Sequence, residues 1–202
     1  MPRSLRLAAM LLSCLAAPVM AQGSMAGMGG MGGMSTAADT AQLARIRRAL
    51  DKYKDPIAAV RDGYFSTVAC VDFPAGGEGE MAYRAGGMGV HFLNPSLIGP
   101  QLDTLRPQVL IYEPVRDSLR LVAAEWFMPT QVSQQRPSLF GRDLDGPMEG
   151  HAPIMAPETH HWDLHVWLWK NNPSGVFSPT NPTVRCPSGP YAFHGSPPHM
   201  VH

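Results

Sequence analysis

A single α+β domain, an N-terminal helical segment packed on a small, mainly antiparallel sheet or partial barrel, is the fold class this sequence predicts. Three observations predict it. Apolar residues recur at helical spacing between about residues 39 and 63. From Met81 onward, short apolar runs alternate with Gly, Pro and Asn clusters, the punctuation of strands. The 202-residue chain, less a leader, has the size of one domain with a real core.

The elements follow in order. Residues 1–21 read as a cleavable secretory signal peptide: Arg3 and Arg6 give a positive start, Leu5 to Leu15 are largely apolar, and Val19 and Ala21 are small residues at the positions a signal peptidase inspects. The run is shorter than the roughly 20 residues a membrane span needs, and no later stretch approaches that length, so no transmembrane segment is expected. A periplasmic or secreted protein is implied. Leu11-Leu12-Ser13-Cys14 loosely resembles a lipobox and offers lipoprotein anchoring through Cys14 as the alternative. Lys and Arg number 16 against 16 Asp and Glu, and the leader removes only arginines, so no basic field for nucleic acid or an anionic membrane remains.

Residues 22–35, QGSMAGMGGMGGMS, bury too little surface to offset ordering entropy and read as a flexible Gly/Met-rich tether. The single domain is placed at 36–190, with a His-rich tail at 191–202. Near Thr36 or Asp39 a helix begins, with Leu43, Ile46, Leu50 and Tyr53 on one face and Arg45, Arg47, Arg48 and Lys52 mostly outside it. Asp55-Pro56 starts a second short helix that Gly63 stops. Tyr64 onward is expected to be extended or irregular. Strands are expected over 88–93, 108–113, 119–127 and 161–169, with the second and third joined as an antiparallel hairpin through residues 114–118. The Pro- and Gly-rich stretch 129–160 is too long and irregular for a simple connection and reads as a functional loop or mobile cover. Outside the leader only Cys70 and Cys186 remain, and an exported chain pairs two cysteines, so a disulfide bond between them is expected.

The chemistry concentrates in His160-His161-Trp162-Asp163-Leu164-His165-Val166-Trp167-Leu168-Trp169. Strand alternation places His161, Asp163, His165 and Trp167 on one side and Trp162, Leu164, Val166 and Leu168 on the core side. Imidazoles at i and i+4 on a straight strand lie roughly 13 Å apart, so His161 and His165 cannot simply grip one ion. One of them could do so with residues from neighbouring strands, Asp163 orienting an imidazole. His91 shares its predicted face with Gly87 and Gly89, with Met88, Val90 and Phe92 turned the other way. Glu125 shares its predicted face with Leu119, Leu121, Ala123 and Phe127, where a charge needs a histidine, an arginine or a metal, and Glu113 beside Val109 and Ile111 poses the same question. Metal ligands are therefore expected at His91, Glu125, His161 and His165, supported by Asp163, an imidazole and carboxylate set that suits zinc, iron or copper. For each residue alone, a polar network or a surface is the plainer use.

A second constellation is compositional. Met25, Met28, Met31 and Met34 recur every third residue; Met148, His151, Met155, His160 and His161 crowd the long loop; His194, His199, Met200 and His202 lie in the tail. Thioether and imidazole suit copper, and thioether selects Cu(I) in particular, which makes Met25, Met28, Met31, Met34 and His151 secondary metal candidates, a low-complexity linker being the bland alternative. No nucleophile elbow, phosphate loop or dinucleotide fingerprint is present.

The blocks GGMGVHFLNPSLI, PQVLIYEPVRDSLRLVAAEWF, PSLFGRDLDGPMEGH and HHWDLHVWLWKNNPSGVFSPTNPTVRCP, with DGYFSTVAC around Cys70, resemble a family of exported bacterial proteins of uncharacterised function over about residues 50–187. That resemblance implies one recurring domain and no particular activity. From the residues, the expectation is an exported metal-binding protein using copper or zinc, copper favoured. The alternatives are a metal-dependent enzyme with Glu125 as base, or a binding module for a small apolar ligand lined by Trp126, Trp162, Trp167 and Trp169.

Overall fold

The computed structural model describes residues 37–77 and 83–202. The expected signal peptide with Cys14 and the tether with Met25, Met28, Met31 and Met34 lie outside the described residues. Helix α1 (Ala37–Leu50) buries Ile46 and Leu50 and exposes Arg45, Arg47 and Arg48, the pattern its spacing dictates. A 3₁₀ turn over Asp51–Lys54 extends the stripe to a buried Tyr53. Helix α2 (Pro56–Arg61) starts where expected: the Asp55 carboxylate accepts the Ile57 N–H at 2.9 Å, and Pro56 sits in the first turn, where its missing N–H costs nothing.

The sheet dominates. Its strands are β1 (Phe65–Phe73), β2 (Gly86–Leu93), β3 (Val109–Val115), β4 (Ser118–Pro129), β7 (Asp145–Met148), β8 (His161–Val166) and β9 (Ala192–His194), while β5 (Ser138–Leu139) and β6 (Arg142–Asp143) form a separate small hairpin. The order is β7-β8-β4-β3-β2-β1-β9, antiparallel throughout except for the parallel β1–β9 pair. The β3–β4 hairpin forms as expected, with Arg116 at a φ of +55° in its turn. The strand expected over 161–169 ends at Val166; beyond it the Trp167 N–H bonds the Val176 carbonyl at 2.9 Å, and the Trp169 N–H still reaches Val122 of β4 at 3.2 Å. The stretch after Tyr64 is a strand, β1, made irregular by Val68 at a φ of +70°.

One face of the sheet packs on the helices. Val90, Phe92, Leu110, Tyr112, Trp126 and Leu164 meet Ile46, Leu50, Tyr53 and Tyr64 there. Two buried phenols tie the layers together: Tyr112 donates to the Tyr53 carbonyl at 2.7 Å and Tyr64 to the Pro107 carbonyl at 2.7 Å. The opposite face carries Val109, Ile111, Ala123, Phe127 and Trp167. Two bulges decide which residues reach it. On β4, Ala123 pairs with Ile111 but Leu121 with Tyr112, so Val122 is the extra residue. Leu119 and Leu121 therefore join the helix-side core while Ala123, Glu125 and Phe127 look the other way, correcting the expectation of one continuous stripe. On β2, Met88 is the extra residue between Gly87 and Gly89, and it packs with Val71, Phe73, Tyr83 and Met148 rather than beside Val90 and Phe92. Gly89, at a φ of +90°, permits this bulge; a Cβ there would stand 2.6 Å from the Tyr112 carbonyl oxygen.

The sheet curls so that its two ends approach across this second face. Residue Tyr83, leading into β2, donates its phenol to the Met148 sulfur at 3.2 Å on β7. Beyond β9, which lies against β1, the chain crosses to β7: the Glu149 N–H bonds the His199 carbonyl at 3.0 Å and the Val201 N–H the Pro147 carbonyl at 2.8 Å. The His-rich segment is thus a strap built into the fold. A Cys70–Cys186 disulfide, spanning 116 residues of sequence, pins the segment leading into the strap to β1, as expected for an oxidising, non-cytoplasmic setting. Among the described residues no helix is long and apolar enough to cross a membrane.

Candidate metal centre

Strand β8 supplies the centre. Its alternation sends Trp162, Leu164 and Val166 into the helix-side core and His161, Asp163 and His165 to the opposite face, where all three are fully buried. Neighbouring strands and a loop complete two groups. In the first, His91 on β2 and His165 on β8 converge on Glu125 of β4, with Nε2 to Oε2 separations of 3.5 Å and 3.6 Å. In the second, His161 and His151 converge on Asp163 Oδ2 at 3.7 Å and 4.0 Å. Within each group the three donor atoms lie within 4.8 Å of one another. These separations exceed a hydrogen bond. They approach the spacing of donors that share an ion, since two ligands held about 2.0–2.1 Å from one tetrahedral cation stand about 3.3–3.4 Å apart.

Polar satisfaction points the same way. Among the described residues, the buried side-chain nitrogens and oxygens that lack a hydrogen-bond partner all belong to these six residues: His91, Glu125, His151, His161, Asp163 and His165. Each such atom left unpaired in an apolar interior costs on the order of 1–3 kcal/mol. A metal ion would pair several of them at once. One nitrogen of the centre has a backbone partner: His161 Nδ1 lies 3.1 Å from the Thr159 carbonyl. A carbonyl only accepts, so Nδ1 is the donor there and Nε2 is the nitrogen left to face Asp163 and His151, the arrangement a metal-ligating imidazole requires.

Burial sets the ionisation. Desolvation, reinforced by the neighbouring His165, holds His91 down at about 3. His151 and His165 are lowered mainly by the same burial. Burial, aided by the Asp163 charge, pushes the Glu125 carboxyl well above its ordinary value. Burial also works against ionisation of Asp163, but His165, His161 and His151 outweigh it and bring its carboxyl to about 2. Imidazoles that burial keeps unprotonated at His91, His151 and His165, together with His161 and an ionised Asp163, form a donor set suited to a divalent or monovalent transition metal, and the six residues could hold such an ion.

The structure distributes the expected ligands differently from the sequence reading. His91, Glu125 and His165 meet, whereas His161 and Asp163 belong to the other group, so the single site expected from the five residues becomes two. The i, i+4 separation along a strand enforces this division. His151, grouped by composition with the tether methionines, is instead a partner of His161, their rings 5.1 Å apart. No periodicity could place it, because residues 149–160 form an irregular loop over the centre. That loop closes where the Gly150 N–H bonds the Pro157 carbonyl at 3.0 Å, and a Cβ at Gly150 would collide with the Ala156 carbonyl. Glu113 stands apart: Lys170 contacts its carboxylate at 2.8 Å and the Arg185 N–H at 3.1 Å, a partner the sequence reading did not name. The tryptophans divide between the faces: Trp126 and Trp162 lie in the helix-side core with Trp169, which donates to Asp51 at 2.7 Å, packed against it, whereas Trp167 lies on the opposite face and donates to the Ser178 carbonyl at 2.6 Å.

Comparison of the chain with protein-family models, with curated proteins and with solved structures finds no match.

Proposed function

We propose that this is an exported metal-binding protein whose domain holds transition metal through His91, Glu125 and His165 and through His151, His161 and Asp163, with copper the favoured ion. The observation that carries the reading is the confinement of unpaired buried polar atoms, among the described residues, to these two His₂-carboxylate groups. Enclosure supports binding over catalysis: none of the six residues is more than 5% exposed, so a substrate has no approach to an open coordination position. Glu125 Oε2, shared between two imidazoles, has the position of a ligand rather than of a base. Copper is favoured by the thioethers near the second group: Met148, whose sulfur accepts the Tyr83 phenol, pairs across the ladder with His161, and Met88 and Met200 pack in the same cluster. The Cys70–Cys186 bond and the leader-like first 21 residues support export.

The test is metal analysis of purified, tag-free protein after exposure to copper or zinc and exhaustive dialysis. Stoichiometric retained metal, lost on substituting His91 and His161 together, is expected. Retention of none by the native protein sinks the proposal.

A further inference from the structure

We infer that the two groups form one coupled dinuclear centre, in which Asp163 is a ligand of the ion held by His151 and His161 and the positioning residue for His165 at the other ion. This rests on the metal-binding reading above and adds the number of ions and the link between them.

The geometry of one carboxylate carries it. Asp163 Oδ2 faces His161 Nε2 at 3.7 Å and His151 Nε2 at 4.0 Å, while its other oxygen, Oδ1, faces His165 Nδ1 at 3.8 Å. His165 in turn presents its opposite nitrogen, Nε2, to Glu125 at 3.6 Å. An imidazole that binds metal through Nε2 carries its proton on Nδ1, and a carboxylate receiving that proton fixes the ring and strengthens the donor. Neither His165 nitrogen has a hydrogen-bond partner, and Asp163 is the acid facing Nδ1. At 3.8 Å the contact is longer than a hydrogen bond, so the two side chains must close on each other when the ion binds. Each ion thus has three donors from three residues of its own, while a single carboxylate, that of Asp163, bears on both ions.

Sharing has a sign. An ion on Oδ2 draws charge from Asp163, weakens its hold on the His165 N–H and so lowers the donor strength of His165 Nε2. The two cations also repel each other across the buried interior. Each ion therefore binds more weakly when the other is present, and the effect is reciprocal.

The experiment titrates full-length protein with Co²⁺, whose visible bands report coordination at each site. Native protein takes two ions. His151→Ala and Glu125→Gln each take one, and the product of their two binding constants exceeds the native two-ion constant by at least tenfold. Asp163→Asn loses the second site and also weakens the remaining His91–Glu125–His165 site by 10- to 100-fold, with a shifted Co²⁺ spectrum, although Asp163 is no ligand there. Should Asp163→Asn not fold, the single-site product decides alone. A product equal to the native constant, or an Asp163→Asn site of unchanged affinity and spectrum, overturns the coupling while leaving metal binding intact. Two Cu²⁺ ions that silence each other's electron paramagnetic resonance would make His165 a bridging ligand and overturn the positioning role. Native protein that binds no ion overturns the underlying reading instead.

Discussion

His161 Nε2 stands 3.7 Å from Asp163 Oδ2, two residues along the same strand and on the same face. Alternation alone produces that neighbourhood, and the Thr159 carbonyl, 3.1 Å from His161 Nδ1, aims the remaining lone pair into it. His161→Ala should therefore remove one ion per chain. His161→Gln, which keeps a polar side chain without an imidazole donor, should do the same. Inductively coupled plasma mass spectrometry after dialysis reads the count; an unchanged count would place the ion elsewhere.

Glu125 governs a proton. Burial, then the Asp163 charge, raises its carboxyl well above the ordinary value, so in metal-free protein it holds a proton in a range where an exposed glutamate has lost it. The imidazoles beside it are lowered, His91 to about 3, and are already unprotonated at neutral pH. Metal entering the His91–Glu125–His165 group at a pH between the ordinary glutamate value and the raised one of Glu125 should displace about one proton, and Glu125→Gln should abolish that release together with binding. Calorimetric titration in buffers of different ionisation enthalpy measures it. Release equal in native and variant proteins would assign the proton to another group.

The Cys70–Cys186 bond closes 116 residues of chain. Replacing both cysteines by serine should lower stability by roughly 2–5 kcal/mol through the freer unfolded chain. Urea denaturation under oxidising conditions reads the loss; a midpoint equal to that of native protein would show that the bond does little for the fold.

The Lys170–Glu113 pair is the other buried charge system. With Glu113 only 4% exposed, Lys170→Met strands a carboxylate whose remaining hydrogen-bond partner is the Arg185 N–H. A loss of about 3 kcal/mol is expected by chemical denaturation. Glu113→Gln combined with Lys170→Met should recover part of it, since no bare charge remains.

Much of this arrangement was readable from residue patterns, for identifiable reasons. The helix over Leu43, Ile46 and Leu50 declares itself by period, and the β3–β4 hairpin by two apolar runs across a short connection. The face of β8 follows from alternation without interruption. Alternation misleads wherever a bulge intervenes: Met88 and Val122 each shift the pattern by one residue, and nothing in composition marks Val122 as extra. His151 escaped because a loop held by backbone contacts places it, and loops have no period. The division into two groups was implicit in the i, i+4 spacing of His161 and His165. Its second half needed the His151 loop to become visible.

Gly89 tests the bulge directly. At a φ of +90° with the Tyr112 carbonyl oxygen 2.6 Å from where a Cβ would stand, Gly89→Ala should cost more than about 2 kcal/mol and disturb His91 two residues on. Denaturation and metal stoichiometry should fall together. A variant that is destabilised yet binds two ions would separate the bulge from the placement of His91.

The strap that runs from β1 across to β7 has a bearing on timing. Residues 192–201 follow every ligand in the chain, so the loop carrying His151 gains its backbone anchors to the strap only when that segment docks. Once it docks, the Glu149–His199 and Val201–Pro147 backbone bonds fix the chain just before His151, and opening this seam would free that ligand. Exchange should accordingly be slow and set by how often this seam breathes, not by the strength of the coordination bonds.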